Sequence, residues 1–290
     1  MDSIQSAWSA VYGLISHAVT AAFPWINVIL MIIAGCLGSM LFGKIKDPLR
    51  EILLRSLGIL VILMGFVELW DGFFVLQTGQ LETVGTLLIV FVLPLGYAFG
   101  HGWSLDRALG KLGLILHRFF FKEKPQRPVP ADGDPSIQPA RRENTPSAEG
   151  FMLATVICAF SSTTIFSAWE SQTAEDALPL LVRLGFHVLI FFMLSALFGS
   201  NCTLAAIPAL AVELILLLAS LLVGNLMTDT LMNQIRLVGA VILIATGLSL
   251  GFNKRVRSAK LIPAYALVIF FGLIMLMIDK LIVEKLLGMA

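Results

Sequence analysis

The sequence predicts an all-α, polytopic membrane protein of about eight transmembrane helices, on three observations. First, 58% of the 290 residues are hydrophobic and only 13% are charged, with a mean hydropathy of +0.89. Soluble domains average about 45–50% apolar and about 25% charged residues, so this chain has too few charges to coat a water-facing surface. Second, it contains many apolar runs long enough to cross the roughly 30 Å hydrocarbon core of a bilayer. Third, the stretch Ile32–Trp70, an apolar segment followed by a short basic turn and a second apolar segment, recurs 181 positions later as Glu213–Gly251. Under that offset Ser39 falls on Ser220, Gly43 on Gly224, Arg55 on Arg236 and Gly58 on Gly239. Leucine matches in apolar text carry little information, so these four non-leucine matches support the repeat.

Taken in order, residues 1–23 place Ile4, Trp8, Val11, Tyr12 and Ile15 at helical spacing and predict an N-terminal amphipathic segment at the interface. No basic n-region marks it as a cleaved signal peptide. Residues 24–101 form a first membrane repeat with spans at Pro24–Gly43, Leu49–Trp70 and Glu82–His101. Residues 102–150 break the pattern. Ser104–Lys124 is basic and amphipathic, and Gln126–Ser147 is rich in Pro, Asp, Glu and Arg, a composition that predicts a disordered linker. Two inserted spans occupy 151–200, at Gly150–Trp169 and Leu178–Phe198. A second repeat fills 201–290, with spans at Thr203–Asn225, Gln234–Phe252 and Leu261–Lys280.

Loop charges give these spans an orientation, because basic residues concentrate on the cytoplasmic side. The loop after span one carries Lys44, Lys46 and Arg50; the one after span three carries Arg107, Lys111, Arg118 and further basic residues; the one after span seven carries Lys254, Arg255, Arg257 and Lys260. Loops after spans two and four hold Asp71, Glu170, Glu175 and Asp176 without Lys or Arg, and Leu226–Asn233 holds neither. Both termini are therefore expected outside the cytoplasm, with the basic loops against anionic lipid heads. Spans one and six then run in opposite directions. The fold expected is an inverted three-helix repeat, spans 1–3 and 6–8, flanking two inserted helices. Such repeats build transport machinery with a site near the midplane.

Small residues allow close helix approach in lipid. Gly35, Ser39 and Gly43 repeat at four-residue spacing, as do Ser220 and Gly224, Gly96 and Gly100, and Gly247 and Gly251. With Gly58 and Gly239 they are read as packing positions, and a homo-oligomer seam is an alternative use.

Polar groups at membrane depth are costly and face cavities or one another. Glu213 has no basic residue within ten positions on either side and is the clearest outlier. It could relay protons, hold a cation, or simply bond a neighbouring helix. His187 lies inside span five with Arg183 one turn earlier; these could line an anion path or pair with Glu213, whereas Arg183 could instead snorkel to the interface. Ser161, Ser162, Thr163 and Thr164 stand consecutively at mid-depth in span four. Hydroxyls so arranged point all round a helix and compete for its backbone bonds, so a local break is expected there. Asn27 and Asn201 are lesser candidates. Glu68 and Asp71 read as interfacial.

Three scattered cysteines (Cys36, Cys158, Cys202) suggest neither a disulfide framework nor a zinc site. No GxSxG, HExxH or P-loop is present, so neither an enzyme nor a metal or other cofactor is expected, and no nucleic acid is expected as a partner.

The run from Asn27 through IIAGCLG, the turn KIKDPLREILLRSLGILVILMG, the restart EGFMLATVICAF and the stretch GLSLGFNKRVRSAKLIPA resemble the YdfK/YqgA family (DUF554). This is a group of bacterial inner-membrane proteins grouped as candidate transport proteins around a domain of unknown function. The resemblance covers most of residues 24–280 and implies transport without naming a substrate. The chain departs from the family pattern at Ser161–Thr164, where a glycine-containing stretch is expected, and at His187, where an acid is expected. The function expected is a secondary transporter or channel for a small ion or polar solute. A scaffold or sensor acting through segment 104–124 is the alternative, with a membrane-embedded enzyme third.

Overall fold

In a computed structural model, the structure describes residues 22–77, 80–83, 86–103, 105–120, 148–173, 178–223, 228–252 and 257–286. The N-terminal amphipathic segment and the linker before residue 148 lie outside these. Six helices among the described residues are long and apolar enough to cross a membrane, and the molecule is a multi-pass helical membrane protein.

Helix α1, Ala22–Ser39, ends in a turn where Gly43 takes a φ of 80°, a conformation that costs glycine little. Span one is thus shorter than expected. Gly43 belongs to the turn, and the Ser39 hydroxyl bonds its own helix at Cys36 O, 2.8 Å away. The close-packed face is instead Gly35, against Thr203, and Gly38, against the Phe192 carbonyl. Helix α2, Asp47–Phe73, starts with an acid and Pro48, both suited to a first turn. It runs into a hairpin of β1, Phe74–Gln77, and β2, Gln80–Thr83, with Phe74 opposite Thr83. The hairpin stands where span three was expected to begin, and α3 covers Thr86–Trp103. The amphipathic helix α4, Leu105–Phe120, exposes Ile115, Phe119 and Phe120 and packs Gly113 against Phe151.

Span four is two half-helices. Helix α5, Ala148–Ala159, stops at the hydroxyl run and α6, Ser162–Thr173, restarts from it. The break expected from the sequence is present. Neither half approaches the roughly 20 residues of a full span. Around it stand α7, Leu178–Phe198; a 3-10 turn, Ser200–Ala205; α8, Ala206–Val223; and α9, Asp229–Phe252. A second 3-10 turn, Ser258–Leu261, leads into α10, Pro263–Leu286.

The most extensive helix contact joins α2 to α9 in antiparallel fashion. Its cause is a glycine stripe: Gly58 lies against Gly251 and Gly247, Gly65 against Ile244 and Ala240, and Gly72 against Leu237. Seven residues make two helical turns, so these three glycines share a face. A Cβ at Gly58 would come within 2.4 Å of the Gly251 nitrogen. Helix α3 meets α10 and the 3-10 turn before it similarly, with Gly96 on Ala264 and Gly100 on the Lys260 carbonyl. Helix α5 is central: Phe151, Ala154, Val156, Ile157, Cys158 and Ala159 are all fully buried.

Candidate functional site

The break between α5 and α6 brings together polar groups from four helices. Thr164 Oγ1 lies 3.3 Å from His187 Nε2 on α7 and donates to the backbone Cys158 O at 3.0 Å. On the far side of the imidazole, His187 Nδ1 is 3.2 Å from Asn27 Oδ1 on α1. Asn27 Nδ2 donates in turn to Glu213 Oε1 on α8. All four side chains, and Ser161, Ser162 and Thr163, are fully buried. The chain of contacts thus runs from a carboxyl group on α8 to an open backbone carbonyl at a helix end.

The local sequence explains the geometry. Helix α5 gives up its last carbonyls because the hydroxyl run offers substitutes. Ser161 Oγ contacts Thr163 Oγ1 at 3.0 Å and Thr164 Oγ1 at 3.3 Å, and accepts from the Thr164 backbone N–H at 3.4 Å. On the opposite side Tyr265 from α10 donates to Phe160 O at 2.8 Å. Gly239 makes room for the restart, packing against Ser162 and the Tyr265 hydroxyl. Among the described residues, Glu213 Oε2, Ser162 Oγ, Thr155 Oγ1 and Ser195 Oγ have no hydrogen-bond partner. Such groups are expensive to leave alone in a low-dielectric interior.

Depth supports treating these groups as one site. At 1.5 Å per residue, His187 lies about 14 Å from the start of α7 at Leu178. Glu213 lies about 15 Å from the end of α8 at Val223. Both values are near half of a roughly 30 Å core.

A second, ionic cluster stands one turn nearer the start of α7. Arg183 is 3.7 Å from Glu68 Oε1; Arg236 on α9 bonds Glu68 Oε2 at 2.6 Å and Asp71 Oδ2 at 3.3 Å. Both guanidinium groups lie over the Phe166 ring of α6, at 5.4 and 4.2 Å. Glu68 is 2% exposed and Arg183 7%. Arg183 therefore does not snorkel, and Glu68 is a buried partner for two cations where an interfacial residue was expected.

Of the site residues read from the sequence, the structure joins Glu213, His187, Asn27, Ser161, Thr163 and Thr164. Ser162 begins α6 beside them. Arg183 belongs to the ionic cluster. Asn201 is buried in the 3-10 turn after α7 and makes none of the contacts described above. Ser220's side chain and Gly224 lie outside the described residues. Sequence reasoning missed the role of Glu68 and the Gly65 and Gly72 positions; the seven-residue spacing from Gly58 was the available signal. Among the described residues no three His, Cys, Asp or Glu side chains are grouped as metal ligands.

Two clefts open in the described part of the fold. One, of about 810 Å³, is lined by Asp47, Arg50, Glu51, Arg55 and Phe252 at the end carrying the basic loops. The other, of about 440 Å³, is apolar and lies beside the break, with Phe160, Val212 and Tyr265 in its wall.

A family model described as "Protein of unknown function (DUF554)" matches residues 23–273. The chain is similar to the "Uncharacterized membrane protein YdfK" of Bacillus subtilis (strain 168), with 24% identity over 237 residues, 81% of this chain and 88% of that protein. No solved structure matches it.

Proposed function

The chain belongs to the DUF554 family, and on that premise we propose that it is a secondary transporter or channel for a small ion or polar solute across the bacterial inner membrane. The observation that carries this reading is the buried chain Glu213–Asn27–His187–Thr164 ending on a broken helix. Broken helices at mid-depth offer backbone dipoles to a solute, and irregular backbone in a bilayer is tolerated where it lines a protected cavity. The unpartnered Glu213 Oε2 and Ser162 Oγ supply further ligand atoms. Full burial of the network corresponds to an occluded state.

Inverted-repeat architecture is part of the same proposal. Displaced by 181 positions, α1 covers 203–220, α2 covers 228–254 and α3 covers 267–284, close to the bounds of α8, α9 and α10. The antiparallel α2–α9 contact, the α3–α10 contact and the Asn27–Glu213 bond between α1 and α8 are the pairings a two-fold axis in the membrane plane would give. The basic loops face the cytoplasm and both termini lie outside. The cleft of about 810 Å³ is then the cytoplasmic vestibule, where anionic lipid heads also gather.

A membrane-embedded hydrolase is the second reading, because Thr164, His187 and Asn27 stand in the order of nucleophile, base and orienting group. Against it, the Thr164 hydroxyl is committed to Cys158 O and Thr164 is fully buried.

The test is a thermal-shift screen of the purified full chain in detergent over inorganic cations, inorganic anions and small polar metabolites. Counterflow of any hit follows in proteoliposomes. Glu213→Gln and Asn27→Ala are expected to cut both the shift and the flux at least tenfold. Unchanged flux of an identified solute in both variants removes the network from the pathway.

A further inference from the structure

We propose that the Glu213–Asn27–His187–Thr164 chain is a binding site for one exchangeable proton, and that releasing it turns the Thr164 hydroxyl away from the Cys158 carbonyl. Its assignment to a transport pathway rests on the function proposed above, whereas the proton count rests on hydrogen-bond stoichiometry alone.

The count starts at the carbonyl. Cys158 O can only accept, so the 3.0 Å contact requires the single hydroxyl proton of Thr164. Having spent that proton, Thr164 Oγ1 can only accept from His187 Nε2, 3.3 Å away, and Nε2 must therefore carry a hydrogen. Asn27 then admits two arrangements. In one, the amide donates to Glu213 and Oδ1 accepts from His187 Nδ1; both imidazole nitrogens are protonated and Glu213 is a carboxylate. In the other, the amide is turned end for end, donates to a neutral His187 Nδ1, and accepts from a protonated Glu213. Each arrangement satisfies every contact, and each holds one titratable proton on the Glu213–His187 pair. With that proton gone, Nδ1–H still serves Asn27 but Nε2 is a bare lone pair. The Thr164 hydroxyl must then choose between Nε2 and Cys158 O. Loss of one proton thus frees either the carbonyl at the helix break or the imidazole lone pair, and an imidazole acceptor is the stronger of the two.

The asparagine matters for direction. An amide reorients without passing a proton readily, so Asn27 reports the charge of Glu213 to His187 while keeping the two titrating groups apart. The other charged and titratable groups packed around the chain among the described residues are few. On α7 itself there is Arg183, one turn from His187 and paired with Glu68 of α2; Arg236 of α9 joins Glu68 and Asp71. Cys158 lies on α5, Cys202 in the 3-10 turn and Tyr265 on α10. The chain of contacts links Glu213 to His187 through Asn27 and ends on Thr164, neither of which titrates, so the Glu213–His187 pair is the group that changes charge.

The experiment uses the full chain in phosphatidylethanolamine and phosphatidylglycerol vesicles, with carbonyl-13C cysteine placing labels at Cys36, Cys158 and Cys202 only. Infrared difference spectra are recorded across a pH titration, and Cys158→Ala identifies the Cys158 band by subtraction. The expected result is a shift of that band to higher wavenumber as pH rises, with one proton released per chain. Thr164→Val fixes the band at the shifted position at every pH, and Thr164→Ser restores the wild-type behaviour. Glu213→Gln, whose amide donates to Asn27 in place of the acid, holds the band unshifted throughout. A Cys158 band that stays still while circular dichroism reports a folded chain overturns the proposal, as does an equal shift in Glu213→Gln. If the band moves but no solute crosses the vesicle membrane, the proton site stands and the transport reading falls. If solute crosses with an immobile band, the proton site falls and transport stands.

Discussion

Asn27 carries more of the site than its position suggested. In sequence it is one polar residue near the start of an apolar span; in the fold it bridges His187 and Glu213, 160 and 186 positions away. Glu213, His187 and Ser161–Thr164 were legible because polar groups in apolar text are costly and must be accounted for. Their pairing was not, since no local rule encodes contacts at that separation. Glu68 illustrates the same limit: near the end of an apolar run it reads as interfacial, yet it is flanked by Arg183 and Arg236. Its removal leaves two buried guanidinium groups short of their shared carboxylate. Glu68→Ala is therefore expected to destabilise the full chain by about 3–5 kcal/mol, read as a lowered unfolding midpoint in detergent. A change below about 1 kcal/mol would mean that water or Asp71 already compensates these cations. Tyr265→Phe asks a smaller question, since it removes only the donor to Phe160 O. An unsatisfied buried carbonyl costs about 1–3 kcal/mol, and the loss should be accompanied by faster amide exchange around the break.

At the scale of elements, backbone proximity sets the α2–α9 contact. Gly58→Ala forces a Cβ to within 2.4 Å of the Gly251 nitrogen, whereas at Gly72 the nearest atoms are Leu237 side-chain carbons at 3.2 Å. Backbone cannot yield as a leucine tip can. Gly58→Ala is expected to cost about 1–3 kcal/mol by overpacking, and Gly72→Ala distinctly less. Gly185→Ala, where nothing lies within 4 Å, is the matched control and should gain about 0.5–1 kcal/mol from helix propensity. The ordering across the three variants, measured by thermal unfolding of the full chain, checks whether the stripe is a close-packed seam. The sequence exposed the GxxxG pairs but hid Gly65 and Gly72, because a seven-residue step between glycines has no salience inside a 27-residue apolar helix. The break in span four was legible for the opposite reason: four consecutive hydroxyls weaken a helix wherever they occur.

For the whole molecule, the proposed inverted repeat makes a demand that neither helix packing nor hydropathy makes alone. Lys44, just after the first span of the first copy, and Asn225, its equivalent 181 positions on, must lie on opposite sides of the membrane. A parallel duplication would put them on the same side. Leu178, 60% exposed at the start of α7, should share a side with Asn225 because the acidic loop precedes it. With the exposed native thiol removed as Cys36→Ser, Lys44→Cys, Leu178→Cys and Asn225→Cys each introduce one thiol. A membrane-impermeant maleimide applied to intact spheroplasts is expected to label Leu178→Cys and Asn225→Cys at least tenfold faster than Lys44→Cys. Inside-out vesicles should reverse the order. Reversal in both preparations would invert the orientation and leave the repeat intact, because the two equivalent positions would still differ. Labelling of Lys44→Cys and Asn225→Cys from the same side would end the inverted repeat outright, and with it the argument that Asn27 and Glu213 meet at a two-fold axis.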